Sequence, residues 1–404
     1  MKILLANKFF YIKGGAEASF FTTAELLENN RNKIIFFSMN HPKNFSSKYE
    51  KYFVSNVDYE NNNMKNKISV SLKLLYSFEA RRKVENLIKK EKPDIAHLNN
   101  IYHQISPSIL HVFKKNRIPI IITLRDYKLV CASYLMLNHG EICEACKNGR
   151  YYNCFINGCV KDSKIKSLLN TIEMYLHHKM LNIYNLVDVF ISPSKFLKKK
   201  LEKMGFKGKI FYLPNFVEVE NFKPKYYWQE NSIVYFGRLS KEKGLFNLIE
   251  GAKDLRVMIK IIGDGPIKES LKSVCRSKKL KNIKFLGYKG GENLKNEIRK
   301  SMFVVLPSEW YENNPRSIIE GFALGKPAIG TRIGGIPELI KDRETGLTYE
   351  TGNIEDLRAK IMYLINSPDK IVEMGKNARR FVEKELNGEK HYQRLMEIYE
   401  QAIA

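Results

Sequence analysis

The stretch Pro307 to Pro327, PSEWYENNPRSIIEGFALGKP, decides how the rest of the chain is read. Just before it, Phe303-Val304-Val305-Leu306 is a short apolar run that suits a buried strand. A polar loop follows from Ser308 to Asn314 and contains Trp310, Tyr311 and Glu312. Asn314 is placed to cap a helix, and Pro315 sits where a missing N–H costs nothing. Ile318, Ile319, Phe322 and Ala323 then recur at helical spacing, and Gly325 suits the stop. This places Glu312 in a loop at the mouth of a helix and Glu320 on that helix, two turns on. Free N–H groups at a helix start, here around Asn314, Pro315, Arg316 and Ser317, attract anions. Two carboxylates beside them can hold hydroxyls. A ligand carrying both chemistries, as a nucleotide sugar does, fits the pattern.

Working outward, Ser232 to Phe236 is a second apolar strand, and its loop delivers Gly237-Arg238. Lys243-Gly244 open the next helix, so an arginine and a lysine face one turn and can neutralise a diphosphate. Ile259 to Ile262 leads to Gly263-Asp264-Gly265-Pro266. In the front half, the strand Lys2 to Ala6 is followed by Gly14-Gly15 and a helix, Ala16 to Glu28. That unit lets backbone approach a phosphate where a Cβ would clash. It is not G-x-G-x-x-G, so no dinucleotide fingerprint is read. Pro93 to Asn100 forms a strand ending in His97, Asn99 and Asn100, and Ile118 to Leu124 forms another ending in Arg125-Asp126. Strand carboxyl ends are where open α/β sheets place ligands. Residues 40–67, rich in Asn and Lys, read as a mobile loop. Ser163 to Asn185 reads as one long helix, and Lys198-Lys199-Lys200 as a cationic patch or a solvated face.

These motifs resemble those of the retaining glycosyltransferases of family 4. The element Glu312-x7-Glu320, the turn Gly237-Arg238-x4-Lys243-Gly244, the turn Gly263-x-Gly265-Pro266 and Gly334-Gly335-Ile336-Pro337-Glu338 all match, as does the Gly14-Gly15-Ala16-Glu17 loop. The resemblance covers essentially the whole chain. It implies the GT-B fold, two Rossmann-like α/β domains with parallel sheets facing a central cleft. It also implies that Glu320 holds ribose hydroxyls and Glu312 the sugar hydroxyls near the reacting carbon. Arg238 and Lys243 would then stabilise the leaving diphosphate without a metal, and no Asp-x-Asp occurs to bind one. Relatives usually carry His-Asp where this chain has Arg125-Asp126, and an arginine cannot act as a base at neutral pH. Arg125, which can still hydrogen-bond a sugar hydroxyl or a phosphate oxygen, and Asp126 are assigned beside the reacting centre, and Glu17, His97 and Asn99 to the acceptor side. The expected donor is a UDP- or GDP-sugar and the acceptor a glycan or lipid-linked glycan, as in bacterial surface-polysaccharide synthesis. Two other readings stand beside transfer: a GT-B nucleotide-sugar epimerase, and a noncatalytic glycan- or lipid-binding relative. The full set of Arg238, Lys243, Glu312 and Glu320 argues for transfer.

Length suits two domains of about 200 residues each. The expected bounds are 1–215 for the acceptor domain, 216–382 for the donor domain, and 383–404 for a helix crossing back to the first. The formal net charge is +25 and is uneven: 35 basic against 19 acidic residues in 1–220, and 33 against 24 in the remainder. A basic front half favours phosphorylated substrates or an anionic membrane surface. No nucleic-acid-binding spacing occurs. No run of about 18 apolar residues exists to span a membrane, and the first residues read as a strand rather than a signal peptide. A cytoplasmic enzyme, peripheral on the inner face of a membrane, is the expectation. Five cysteines crowd one insert, 131–159. Cys131, Cys143, Cys146 and Cys159 have zinc-ligand spacing, with Cys154 as a substitute, and reduced unligated thiols are the alternative.

Overall fold

The computed structural model describes residues 1–56, 73 and 75–403. They form two compact units, Met1–Leu213 with Tyr392–Ala404, and Pro214–His391. In the first unit the strands are β1 (Lys2–Ala6), β2 (Lys33–Phe37), β3 (Ile95–Asn99) and β4 (Ile120–Thr123), a two-residue hairpin β5 (Leu137–Asn138) and β6 (Glu141–Ile142), then β7 (Val189–Ser192) and β8 (Ile210–Tyr212). The main sheet runs β2-β1-β3-β4-β7-β8, and every pairing in it is parallel. All residues of β3, β4 and β7 are buried, as expected of strands covered on both faces.

In the second unit the strands are β9 (Ser232–Phe236), β10 (Met258–Ile262), β11 (Ile283–Gly287), β12 (Val304–Leu306), β13 (Ala328–Thr331) and β14 (Gly346–Tyr349). Their order is β11-β10-β9-β12-β13-β14, again parallel throughout. The apolar runs predicted as strands therefore line one core, where Ile233, Val234, Ile259, Ile261 and Val304 pack against Leu248, Ile318, Phe322, Leu357 and Ala378 of the helices. Both units are doubly wound α/β layers. In each, the order reverses beside the first strand, between β1 and β3 and between β9 and β12. At such a switch point the chain leaves in opposite directions, and a crevice opens at the carboxyl ends.

Three expectations change. The helix Pro368–Glu385 ends, and a new one, Gly388–Ile403, begins. Val217 N–H bonds Leu386 O at 3.1 Å and the His391 ring stacks on Phe216 at 4.1 Å, so the chain stays with the second unit through His391. The helix predicted over 163–185 is shorter: Lys164–Tyr175 runs into a wide turn at Leu176–Met180, then a single turn at Ile183–Leu186. Of the loop 40–67, the part through residue 56 is anchored, because Tyr49, Phe53 and Val54 are buried and Val54 bridges Met39. Residues 57–67 lie outside the described residues.

Candidate functional site

In the second unit the switch point is flanked by Gly237-Arg238, after β9, and by the loop Pro307–Pro315, after β12. The loop is fastened at several points. Thr331 Oγ1 donates to Ser308 O at 2.7 Å, Glu309 N–H to Glu242 O at 2.9 Å, and Gly335 N–H to Glu312 O at 2.6 Å. Gly334 has φ +61, and a Cβ there would lie 2.4 Å from Glu312 O, so glycine is required where the two loops meet. This frame holds Glu312 with 6% of its surface exposed. Glu312 Oε1 accepts from Lys243 Nζ at 2.5 Å and from Ser308 Oγ at 2.7 Å. The Lys243 ammonium also lies 5.1 Å from the centre of the Trp310 ring. A buried carboxylate paired with a lysine is tolerated because both charges are matched and hydrogen-bonded.

Beside this pair, Tyr235 is buried and its hydroxyl donates to Arg238 O at 2.7 Å, which fixes the turn. Burial, with Glu312 and Glu242 nearby, holds the Tyr235 phenol well above its ordinary range. The Arg238 side chain is exposed and makes no ion pair among the described residues. Gly263 lies directly against the same turn: its φ is +145, and a Cβ would fall 1.9 Å from Gly237 O. Gly265 N–H bonds Asp264 Oδ1 at 2.7 Å, and the hydrogen bond from Lys268 lowers the Asp264 carboxyl pKa.

The helix Arg316–Ala323 begins after Pro315, and no side chain caps it. Asn314 does not serve as the cap. Its Oδ1 accepts Asn215 N–H at 2.9 Å, and its carbonyl accepts Asn215 Nδ2 at 2.8 Å, so its polar atoms tie down the residues leading into the unit. The first-turn N–H groups, Ser317 among them, therefore have no side-chain cap. Glu320 Oε1 meets Arg316 Nε at 3.1 Å across one helical turn. The structure thus gathers Arg238, Lys243, Glu312, Gly237 and Gly263 around one turn, and pairs Arg316 with Glu320 on the adjoining helix. Ser308, Tyr235 and Thr331, which hold this arrangement, were missed from sequence. Ser308 and Thr331 each sit just beyond or at the end of a strand, which is the only signal they offer.

In the first unit, Gly14 precedes the helix Gly15–Asn29 with φ −169, an extended conformation open to any residue. Glu17, 5% exposed, has its carboxyl pKa raised by burial, against the pull of Lys8, Lys13 and Arg125. Arg125 Nε donates to Asn99 Oδ1 at 3.2 Å. Asp126 accepts Lys128 N–H at 2.9 Å, and burial raises its pKa. Glu17, Asn99, Arg125 and Asp126 therefore gather at the carboxyl ends of β1, β3 and β4. His97 does not join them. It is 3% exposed, with Nδ1 2.7 Å from Tyr399 Oη and Nε2 2.6 Å from Thr123 Oγ1. Both ring nitrogens serve internal packing, which replaces its expected acceptor-side role.

Sequence reasoning also missed a buried ionic cluster behind Asp126. Lys128 Nζ bonds Glu173 Oε2 at 2.7 Å, with side chains 1% and 0% exposed. His103 Nε2 lies 3.4 Å from the same oxygen, and His177 Nδ1 3.8 Å from Oε1. Burial alone would raise the Glu173 carboxyl, but Lys128, His103 and His177 hold it well below the usual range. The lysine run is also corrected: Lys200 is buried and bonded to Glu144, so it is not part of a surface patch.

All five insert cysteines are free thiols, and Cys146 and Cys154 pack with Ala132, Tyr151 and Met174, with Cys159 against them. Burial, with Cys131, Cys143 and Cys159 nearby, pushes the Cys146 thiol up to about 12. Among the described residues, no three His, Cys, Asp or Glu side chains are placed to hold a metal ion. Of the four expected ligands, Cys146 and Cys159 pack in this small core. No helix among the described residues is long and apolar enough to cross a membrane.

Comparison with known proteins places these features. The model of "Glycosyltransferase Family 4" matches residues 13–221, and that of "Glycosyl transferases group 1" matches 217–381. An uncharacterised glycosyltransferase of Methanocaldococcus jannaschii is 31% identical over 214 residues, 53% of this chain and 60% of that protein. An uncharacterised 42.6 kDa protein from the cps region of Klebsiella pneumoniae is 27% identical over 353 residues, 84% of this chain and 87% of its own. Among solved structures, sucrose-phosphate synthase of Thermosynechococcus elongatus superposes with a TM-score of 0.73 at 16% identity, covering 99% of this chain and 98% of that one. HepE of Anabaena, solved with UDP and glucose, gives 0.68 at 15% identity and covers 99% of each. The two sheets are those of the GT-B glycosyltransferases.

Proposed function

This chain belongs to glycosyltransferase family 4, and we propose that it transfers a sugar, with retained anomeric configuration, from a nucleoside-diphosphate sugar to a glycan or lipid-linked acceptor in bacterial surface-polysaccharide synthesis. The observation that carries this reading is the placement of Arg238, Lys243 and Glu312 around the β9–β12 switch point. The diphosphate would lie against Arg238 and the start of the 316–323 helix, which no side chain caps. Lys243 has three N–H donors, and its hydrogen bond to Glu312 leaves others for phosphate oxygens. As the glycosidic bond to the diphosphate breaks, negative charge grows on the leaving oxygens, and these fixed cations stabilise it without a metal. Glu312, held rigidly by Ser308 and Lys243, would accept hydrogen bonds from the sugar. Glu320 would do the same for the ribose, with Arg316 keeping its carboxylate in place. Uridine is the base to try first, since HepE was captured with UDP. On the acceptor side, Glu17 and Asp126 are carboxyls with raised pKa that would meet acceptor hydroxyls.

Arg238→Ala and Lys243→Ala test the reading. With folding confirmed by thermal melts, each should lose about 10²- to 10³-fold in transfer rate, the cost of one oxyanion-stabilising group. Folded variants that transfer sugar at the normal rate would overturn it.

A further inference from the structure

The helix Lys164–Tyr175 is turned inside out. Its buried positions include Ser167, Asn170, Thr171 and Glu173, while Ile165, Leu168 and Ile172 are 82%, 42% and 47% exposed. These three residues are spaced three and four apart, so they form one stripe along the helix. The short helix Tyr152–Asn157 packs beside it and presents Tyr152, Phe155 and Ile156, at 47%, 39% and 55% exposed. Lys164 Nζ donates to Phe155 O at 3.3 Å and to Ile156 O, so the two apolar surfaces adjoin. A helix of a water-soluble protein normally shows the opposite pattern, apolar inward and polar outward.

The residues around this surface are cationic. Lys147, Arg150, Lys161, Lys164 and Lys166 are all exposed, and between residues 147 and 166 Asp162 is the sole acidic residue. We propose that this face of the cysteine-rich insert is a membrane-docking surface that seats on an anionic lipid bilayer. The apolar stripe would enter the headgroup–acyl boundary, with the lysines and arginine on lipid phosphates. Charge selects this occupant over a second copy of the chain, because a two-fold contact through this face would bring two cationic rims together. Each cation near such a bilayer raises partitioning roughly fivefold. The surface does not depend on the donor chemistry, so its failure would leave the transferase reading standing.

The test uses the purified full chain sedimented with sucrose-loaded vesicles. The vesicles are either phosphatidylcholine alone or phosphatidylcholine with phosphatidylglycerol. Two variants are run beside the parent, Ile165→Asp/Leu168→Asp/Ile172→Asp and Lys147→Glu/Lys161→Glu/Lys166→Glu, and melting temperatures confirm that both fold. All six positions are exposed, so folding should be preserved. The expected result is binding to the anionic vesicles and little to the neutral ones. The charge-reversal variant should lose binding by well over tenfold, as roughly fivefold per cation requires, and the aspartate variant should lose it even at low salt. Three results would overturn the proposal: no binding of the parent chain to anionic vesicles, unchanged binding by the aspartate variant, or a dimer in sedimentation velocity that the aspartate variant dissociates.

Discussion

Removing one partner of the buried Lys128–Glu173 pair should be among the most damaging changes in the first unit. The two side chains are 1% and 0% exposed and 2.7 Å apart. Glu173→Gln leaves the Lys128 ammonium buried without its counter-charge, facing only neutral acceptors, the new amide oxygen and the Ala132 carbonyl 3.4 Å away. Breaking a buried pair this way costs about 3–5 kcal/mol, mostly because the surviving charge is uncompensated. In a unit of this size each kcal/mol moves the melting midpoint by about 2–4 °C, so a fall of roughly 6–20 °C is expected. Lys128→Met/Glu173→Leu removes both charges and should recover much of that loss. The pair also matters for the site, because Lys128 N–H holds the Asp126 carboxylate at 2.9 Å. Calorimetry on the single and double variants measures the effect. A Glu173→Gln midpoint within about 2 °C of the parent would refute the claim that the pair is charged and desolvated.

Two further outcomes follow from the same geometry. Gly263→Ala puts a Cβ 1.9 Å from Gly237 O at φ +145, so it should destabilise the second unit by more than about 2 kcal/mol and weaken nucleotide binding; chemical denaturation with a binding assay checks both. Stability should also fall below neutral pH. Burial lowers His178 from 6.5 to about 3, so the unfolded chain takes up its proton first and stability is lost progressively from pH 6.5 downward. Glu173, whose folded pKa is depressed from 4.5, adds a second loss below pH 4.5. Each group contributes at most about 1.4 kcal/mol per pH unit, and melting curves between pH 7 and 3 should show the decline, with the upper part flattened in His178→Gln.

The apolar runs of both halves were legible because a strand buried on both faces is nearly continuously apolar, as Ile3-Leu4-Leu5-Ala6 and Ile120-Ile121-Ile122 are. The glycine turns were legible for a steric reason, since at Gly263 and Gly334 backbone passes where no Cβ fits. Glu312 and Glu320 were visible as carboxylates in a strand–loop–helix frame. Arg316 stands one helical turn before Glu320, a spacing the sequence displays, but nothing local shows that Lys243 reaches Glu312 across 69 residues of sequence. His97 misled because a strand-end histidine looks the same from sequence whether it faces a ligand or bonds Thr123 and Tyr399. Asn314 misled for a similar reason, since a capping residue can be claimed by a competing donor, here Asn215. The inverted helix was read as merely helical, because its period is correct and only its orientation reveals which side is wet.

On the proposed function, the second unit binds a nucleoside diphosphate through Arg238, Lys243, Glu320 and the 316–323 helix start. Thermal unfolding with uridine and guanosine diphosphates, without added metal, tests it most directly. A ligand at about 100 times its dissociation constant stabilises the native state by about 2.7 kcal/mol, so one of the two should give a shift that disappears in Glu320→Ala. No shift with either nucleotide, or an equal shift in Glu320→Ala, would contradict it.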